Sequence, residues 1–441
     1  MSRHLLLFFC ILISQTLSIP LKSSYHTVDP VANALQYDAF FKKFMPQPIT
    51  TQERQQLVQL TQTVANKNRA RSERSLVPVI IIPSLIGNIM EARLDDAEYV
   101  HWYCYDNSDW YTIFLNNWQF CFSENFQLKF ENGSYISSRR GVTTRPPHWG
   151  STQSCDFLDE AKTLPVWSDI NNILRNASYV DGVNLRAAPY DWRFGPEGLN
   201  EWYEATRRLF EESYEKNSAP AAAVSLSMGG PYFVQFLQTV SQEWKDKYVR
   251  SFTSLSGAFG GSSFAISALA LPPDNGQYGS LSAIVQNLAR TWGSIPYLLP
   301  STDVFRDKVF VSVGKVNYTI EDFPRLFNDS GVPASVTDAW KRVRSLQNLS
   351  KKPPGVKTNC VYGYGLDTQA SFDRVDFKST ATPSTEDGDT TCLREALESC
   401  QDWKTKQKEP VILYPIFNMT HGGAVTNVDA IKIFLSEIEL L

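Results

Sequence analysis

Histidine is scarce in this chain, with five among 441 residues. Any imidazole chemistry is therefore confined to His4, His26, His101, His148 and His421. Long basic runs are missing and the net charge is −4. That argues against a nucleic-acid partner. The cysteines show no tight zinc-finger spacing, so no metal is expected. Beyond the first residues, no uncharged apolar stretch is long enough to cross a bilayer. Charged residues are 20% of the chain against 43% hydrophobic, which excludes a disordered protein and permits a large core.

The N-terminus carries Met-Ser-Arg-His, an apolar run over 5–13 and small residues near Thr16 to Ser18. Residues 1–18 read as a signal peptide. The mature chain is then expected to be soluble and in the secretory route, extracellular or lysosomal. Six sequons agree with that address: Asn132, Asn176, Asn317, Asn328, Asn348 and Asn418. Loss of the leader removes Cys10 and leaves an even set, Cys104, Cys121, Cys155, Cys360, Cys392 and Cys400. Such a set suits disulfides in an oxidising compartment.

Residues 19–75 read as a region apart, with an amphipathic helix over 52–65. The basic stretch 68–74 reads as a solvated linker, or as a processing site that would make 19–75 a propeptide. From residue 76 on, strands alternate with helices: strands over 77–83, 183–188, 252–255, 359–364 and 411–414, helices over 169–176, 197–214 and 427–440. That alternation implies a parallel sheet. Between 262 and 355 it breaks down, as in a cap inserted over a site. Residues 99–122 hold ten aromatics where the 13% average gives about three. They fall within a segment, 96–125, that is either a lipid-facing loop or core packing under a lid. Its candidates for lipid contact are Trp110, Tyr111, Phe114, Leu115 and Trp118.

The run Ala221-Ala-Ala-Val-Ser-Leu-Ser227-Met-Gly-Gly230 reads as strand, sharp turn and helix, the form of a nucleophile elbow. Positions two before and two after such a serine must be small. Ser225 and Ser227 both satisfy this, and Gly229 and Gly230 favour Ser227. A serine hydroxyl needs a neighbouring base. Only His421 follows a late strand on a turn before the last helix, where the order Ser, Asp, His requires it. For the acid, Asp387 and Asp389 of Glu386-Asp-Gly-Asp389 both qualify.

Taken in order, these motifs resemble the lecithin:cholesterol acyltransferase family, and within it the lysosomal phospholipase A2 (group XV) branch. The resemblance rests on Val79-Ile-Ile-Ile-Pro-Ser-Leu-Ile-Gly-Asn-Ile-Met-Glu-Ala-Arg-Leu94, Ala188-Pro-Tyr-Asp-Trp-Arg193, Ser227-Met-Gly229, Trp244-Lys-Asp-Lys-Tyr-Val-Arg250, Tyr362-Gly-Tyr-Gly365 and Asp387-Gly-Asp-Thr-Thr391, and spans 76–441. It implies an α/β-hydrolase fold with a cap insertion and a disulfide-closed membrane-binding loop. Ser227 would be the nucleophile, Asp389 the acid and His421 the base, with oxyanion donors at the backbone N–H of Leu85 and Met228. It pairs Cys104 with Cys121 and Cys360 with Cys400, and leaves Cys155 and Cys392 unpaired. The chain departs from the family pattern at Ser84, Ser225 and Leu226 without losing a triad group. The implied activity is removal of an acyl chain from glycerophospholipid at a membrane or lipoprotein surface, without a cofactor. Water or a lipid alcohol would accept the chain. A sterol-preferring acyltransferase and a silent lipid-binding glycoprotein are the alternatives.

Overall fold

The computed structural model describes residues 46, 48–69, 76–113, 121–159, 161–271 and 279–441, with side chains left out for 279–283. The expected leader, residues 19–45, the stretch 70–75 and Phe114, Leu115 and Trp118 lie outside the described residues.

Six strands carry the fold: β1 (Val79–Ile82), β2 (Leu185–Ala187), β3 (Ala221–Leu226), β4 (Val249–Leu255), β5 (Thr358–Tyr364) and β6 (Val411–Phe417). They form one sheet in the order β6-β5-β4-β3-β1-β2, with every neighbouring pair parallel. β1 and β3 are buried at every position, as strands covered on both faces must be. The three small side chains of Ala221, Ala222 and Ala223 let neighbouring elements approach β3 closely.

The labelled helices are α1 (Thr51–Arg69), α2 (Ser168–Asn176), α3 (Asn200–Asn217), α4 (Gly229–Leu237), α5 (Gln242–Tyr248) and α6 (Val428–Glu437). Helices α3, α4, α5 and α6 pack on the sheet. α3 begins after a 3-10 turn at Pro196–Gly198 and ends at Ser218, whose φ is +54°. α6 is capped by Asn427, whose side chain accepts from the N–H groups of Asp429 and Ala430. Among the described residues no helix is long and apolar enough to cross a membrane.

Three features differ from expectation. First, the described part of 19–75 is not a region apart. α1 runs through Arg69 and buries Leu57, Leu60, Val64 and Ala65 against the domain, touching α2 and α6. Asn68 Nδ2 donates to the Ala177 carbonyl at 2.7 Å. Burial of each of the larger aliphatic side chains is worth roughly 1.5–3 kcal/mol. Second, the excursion from the sheet is not confined to 262–355. Its hairpin, Val311–Val313 with Val316–Tyr318, joins Leu366–Arg374 and Thr382–Gly388 in a second, four-stranded sheet. Third, the aromatic segment contributes a strand, Ser108–Thr112, to a small antiparallel sheet with Glu91–Leu94 and Val142–Arg145. A parallel sheet covered by helices, with Ser227 at the turn after an interior strand, is the α/β-hydrolase fold.

Candidate active site

Ser227 sits between β3 and α4 with φ +53°, a left-handed conformation unusual for a residue with a Cβ. The tight turn brings α4 against the end of β1. A Cβ at Gly229 would come 2.4 Å from the Pro83 carbonyl oxygen and 2.5 Å from that of Ile82, so only glycine fits. At Gly230 a Cβ would approach Ser254 Oγ to 2.9 Å. Ser225 is fully buried inside β3, and its hydroxyl has no hydrogen-bond partner. It has no base beside it, whereas Ser227 does.

That base is His421. Its Nε2 lies 2.7 Å from Ser227 Oγ, and its Nδ1 lies 2.6 Å from Asp389 Oδ2. With Nδ1–H donating to the carboxylate, Nε2 is left to accept from the serine hydroxyl. Asp389 is fixed in turn: its Oδ1 accepts the backbone N–H groups of Thr391 at 3.1 Å and Cys392 at 2.8 Å. Its carbonyl accepts the His421 N–H at 2.7 Å. All three side chains are buried. Burial by itself lowers the imidazole pKa, but the Asp389 carboxylate outweighs it and holds His421 above its ordinary value. The imidazolium formed on taking the serine proton is stabilised to that extent.

The structure brings Asp389 to the histidine and leaves Asp387 at the surface. Asp387 accepts the Gly365 N–H at 2.5 Å and lies 3.2 Å from Arg394. Asp389 follows the strand Thr382–Gly388 of the second sheet, not a strand of the central one. His101 and His148 stand apart. His101 is 3.5 Å from Glu124, and His148 is exposed in its loop.

The loop 84–90 runs beside the elbow. Leu85 and Met228 are buried, and their backbone N–H groups donate to no acceptor among the described residues. Buried N–H groups are nearly always satisfied, so two free ones flanking a serine mark a place for a developing oxyanion. Ile86 in this loop has φ +57°, costly for a β-branched residue. The strain is held by the motif Tyr190-Asp-Trp-Arg193, whose role sequence reasoning missed. Tyr190 OH donates to the Pro83 carbonyl at 2.9 Å. Asn88 Nδ2 donates to the Tyr190 carbonyl at 3.2 Å, and Trp192 Nε1 donates to the Asn88 carbonyl at 3.1 Å. Arg193 is wholly buried, paired with Asp191 at 2.5 Å and donating to the Phe126 carbonyl at 2.9 Å. The oxyanion loop is thereby tied to the aromatic segment.

Cys392 was also missed as part of the site. Its buried thiol lies within hydrogen-bonding reach of His421, and burial pushes its pKa up. Ligand atoms of Asp389, Cys392 and His421 all lie within 4.8 Å of one another. Such a set suits a metal such as zinc, yet Asp389 and His421 already have places in the hydrogen-bonded relay. Cys155, likewise unpaired, is buried away from it.

Disulfides join Cys104 to Cys121 and Cys360 to Cys400. In the aromatic segment the structure corrects the choice of lipid-facing side chains. Trp110 is half-buried with the Arg145 guanidinium 3.9 Å from its ring centre. Tyr111 is half-buried and accepts from Asn125 Nδ2 at 3.2 Å. Strand pairing turns both into the small sheet. The exposed rings are Tyr99, Trp102, Tyr103 and Tyr105, with Trp102 85% exposed. Asn132, Asn176, Asn317, Asn328 and Asn418 are exposed and Asn348 is half-buried.

The family model described as lecithin:cholesterol acyltransferase matches residues 107–433. The phosphatidylcholine-sterol acyltransferase of Mus musculus is 33% identical over 363 residues, covering 79% of this chain and 82% of its own. The lysosomal phospholipase A and acyltransferase of Bos taurus is 33% identical over 367 residues, covering 79% of this chain and 88% of its own. Among solved structures, the esterase LipA of Xanthomonas oryzae has a TM-score of 0.33 at 14% identity, covering 68% of this chain and 86% of that one, a likeness too distant to bear on the chemistry. The family match spans the elbow, the acid and the histidine, and with relatives this similar over most of its length the chain belongs to the lecithin:cholesterol acyltransferase family.

Proposed function

We propose that this chain is a serine lipid acyl hydrolase and transacylase. One observation carries the reading: Ser227 Oγ, His421 and Asp389 are linked at 2.7 and 2.6 Å beside two unused backbone N–H groups. Ser227 attacks the acyl ester of a glycerophospholipid while His421 takes the hydroxyl proton. The tetrahedral oxyanion is held by the N–H groups of Leu85 and Met228. His421 then gives its proton to the departing lysophospholipid oxygen. Water or a lipid alcohol, deprotonated by the same imidazole, takes the acyl chain from Ser227. No step calls for a metal or an organic cofactor. The disulfide-closed segment with its exposed rings would rest at a phospholipid membrane or lipoprotein surface. The leader-like N-terminus and the sequons support a place in the secretory route, outside the cell or in lysosomes.

Relatives named for sterol acylation and for phospholipase activity stand at the same identity, so a sterol acceptor is the second reading. Product analysis on phosphatidylcholine vesicles with cholesterol and ceramide both present separates the two. Free fatty acid or acylated ceramide as the main product supports the first reading, and mostly sterol ester supports the second. No acyl product from a folded protein would overturn both and leave a silent lipid-binding glycoprotein.

A further inference from the structure

The segment Trp244-Lys-Asp-Lys-Tyr-Val-Arg250 has no place in the chemistry above. It lies at the other edge of the central sheet, across the six residues of β3 from Ser227, a span of roughly 20 Å. There a cavity of about 380 Å³ opens among the N-terminal ends of β3, β4, β5 and β6. Lys245, Arg250, Lys357 and Glu409 line it, together with Pro220 and Val249. This volume suits a small organic ligand.

The donors in the cavity are unevenly used. Lys357 is paired with Glu437 at 2.7 Å, and Arg250 Nη2 with Glu439 at 2.6 Å. Asp246 accepts from Gln242 Nε2 at 2.7 Å. Lys245 is only 7% exposed, yet its ammonium has no ion pair or hydrogen bond among the described residues. Arg250 Nε is buried without an acceptor. A buried ammonium without a partner is unfavourable, and proteins seldom keep one idle. The backbone also leaves room at its tip. Gly355 has φ +73°, and a Cβ there would stand 3.1 Å from Lys245 Nζ. Glu409 adds a carboxylate without a partner on the same wall.

We propose that this cavity binds a small phosphate monoester carrying a hydroxyl. The phosphate oxygens meet Lys245 Nζ and Arg250 Nε, and the hydroxyl donates to Glu409. A tetrahedral oxyanion serves two donors that approach from separate elements, which a flat carboxylate does less well. A free metabolite and an anionic lipid headgroup both present this chemistry. The site is independent of acyl transfer, so Ser227→Ala protein binds the ester as the wild type does.

The test is calorimetric titration of the full chain with glycerol 3-phosphate at fixed ionic strength. The wild type is expected to bind one equivalent saturably. Lys245→Met is expected to weaken binding by about tenfold or more. Glu409→Gln keeps the phosphate contact and is expected to weaken glycerol 3-phosphate while leaving inorganic phosphate unchanged. Ester turnover at Ser227 reports that each variant is folded. A parallel flotation uses phosphatidic acid vesicles. Flotation lost in Lys245→Met assigns the site to a lipid headgroup, and binding of the free ester without such flotation assigns it to a soluble metabolite. No saturable binding, or equal affinity in Lys245→Met, overturns the proposal.

Discussion

Asp389 grips His421 twice, through its carboxylate at Nδ1 and through its carbonyl at the His421 N–H. The carboxylate is also the charge that raises the imidazole pKa against the opposing effect of burial. Asp389→Asn removes that charge and leaves burial, so the imidazole pKa falls. Turnover is expected to drop about 10⁴-fold, and the ascending limb of kcat/KM against pH should move to lower pH. A limb that stays in place or moves up would show that Asp389 does not set the histidine. Asp387→Asn, changed at the surface, should leave both nearly untouched. Ser225 is a different case. Its buried hydroxyl makes no hydrogen bond, so Ala at that position keeps the small side chain the elbow needs and sacrifices no contact. The choice of Ser227 over Ser225 was partly legible from Gly229 and Gly230, because a close helix–strand approach demands small residues just after the turn. The choice of Asp389 over Asp387 was not legible from spacing, because both fit the chain order and only the fold around Thr391 and Cys392 turns one inward.

Among the elements, the loop 84–90 depends on partners far along the chain. Asn88 and Tyr190 are 102 residues apart in sequence. Asn88→Ala frees the loop from Tyr190 and lets the Leu85 N–H drift. A misplacement of about 1 Å costs on the order of 10²-fold, so kcat on a short soluble ester should fall by about that factor with KM nearly constant. A loss carried by KM alone would mean the loop binds substrate and does not hold the oxyanion. The sheet and its helices were legible because branched apolar runs and helical apolar spacing report burial directly. The Tyr-Asp-Trp-Arg stretch stood out as a motif but showed no role, since every bond that gives it one is long-range. The strand Thr382–Gly388 was hidden because six of its seven residues face solvent and carry no apolar alternation. For α1, the apolar face was visible but its docking partners, α2 and α6, were not.

At the scale of the whole molecule, catalytic edge and lipid-facing segment are coupled through Arg193 and the Cys104–Cys121 bridge. Composition marked the segment as rich in rings but did not say which point outward, because strand pairing decides that. Trp102→Ala should lower turnover on phospholipid vesicles several-fold while leaving a soluble ester unchanged, with the two rates measured on the same preparation. Equal loss on both substrates would place Trp102 in the domain's stability and not at the lipid. Everything else stands on one activated serine, brought to a histidine 194 residues away. The most direct measurement is intact mass after fluorophosphonate treatment of glycan-trimmed wild type, Ser225→Ala and Ser227→Ala. The account predicts a single adduct on the wild type and on Ser225→Ala, and none on Ser227→Ala. An adduct that persists in Ser227→Ala, or none at all on folded, disulfide-bonded wild type, would contradict it.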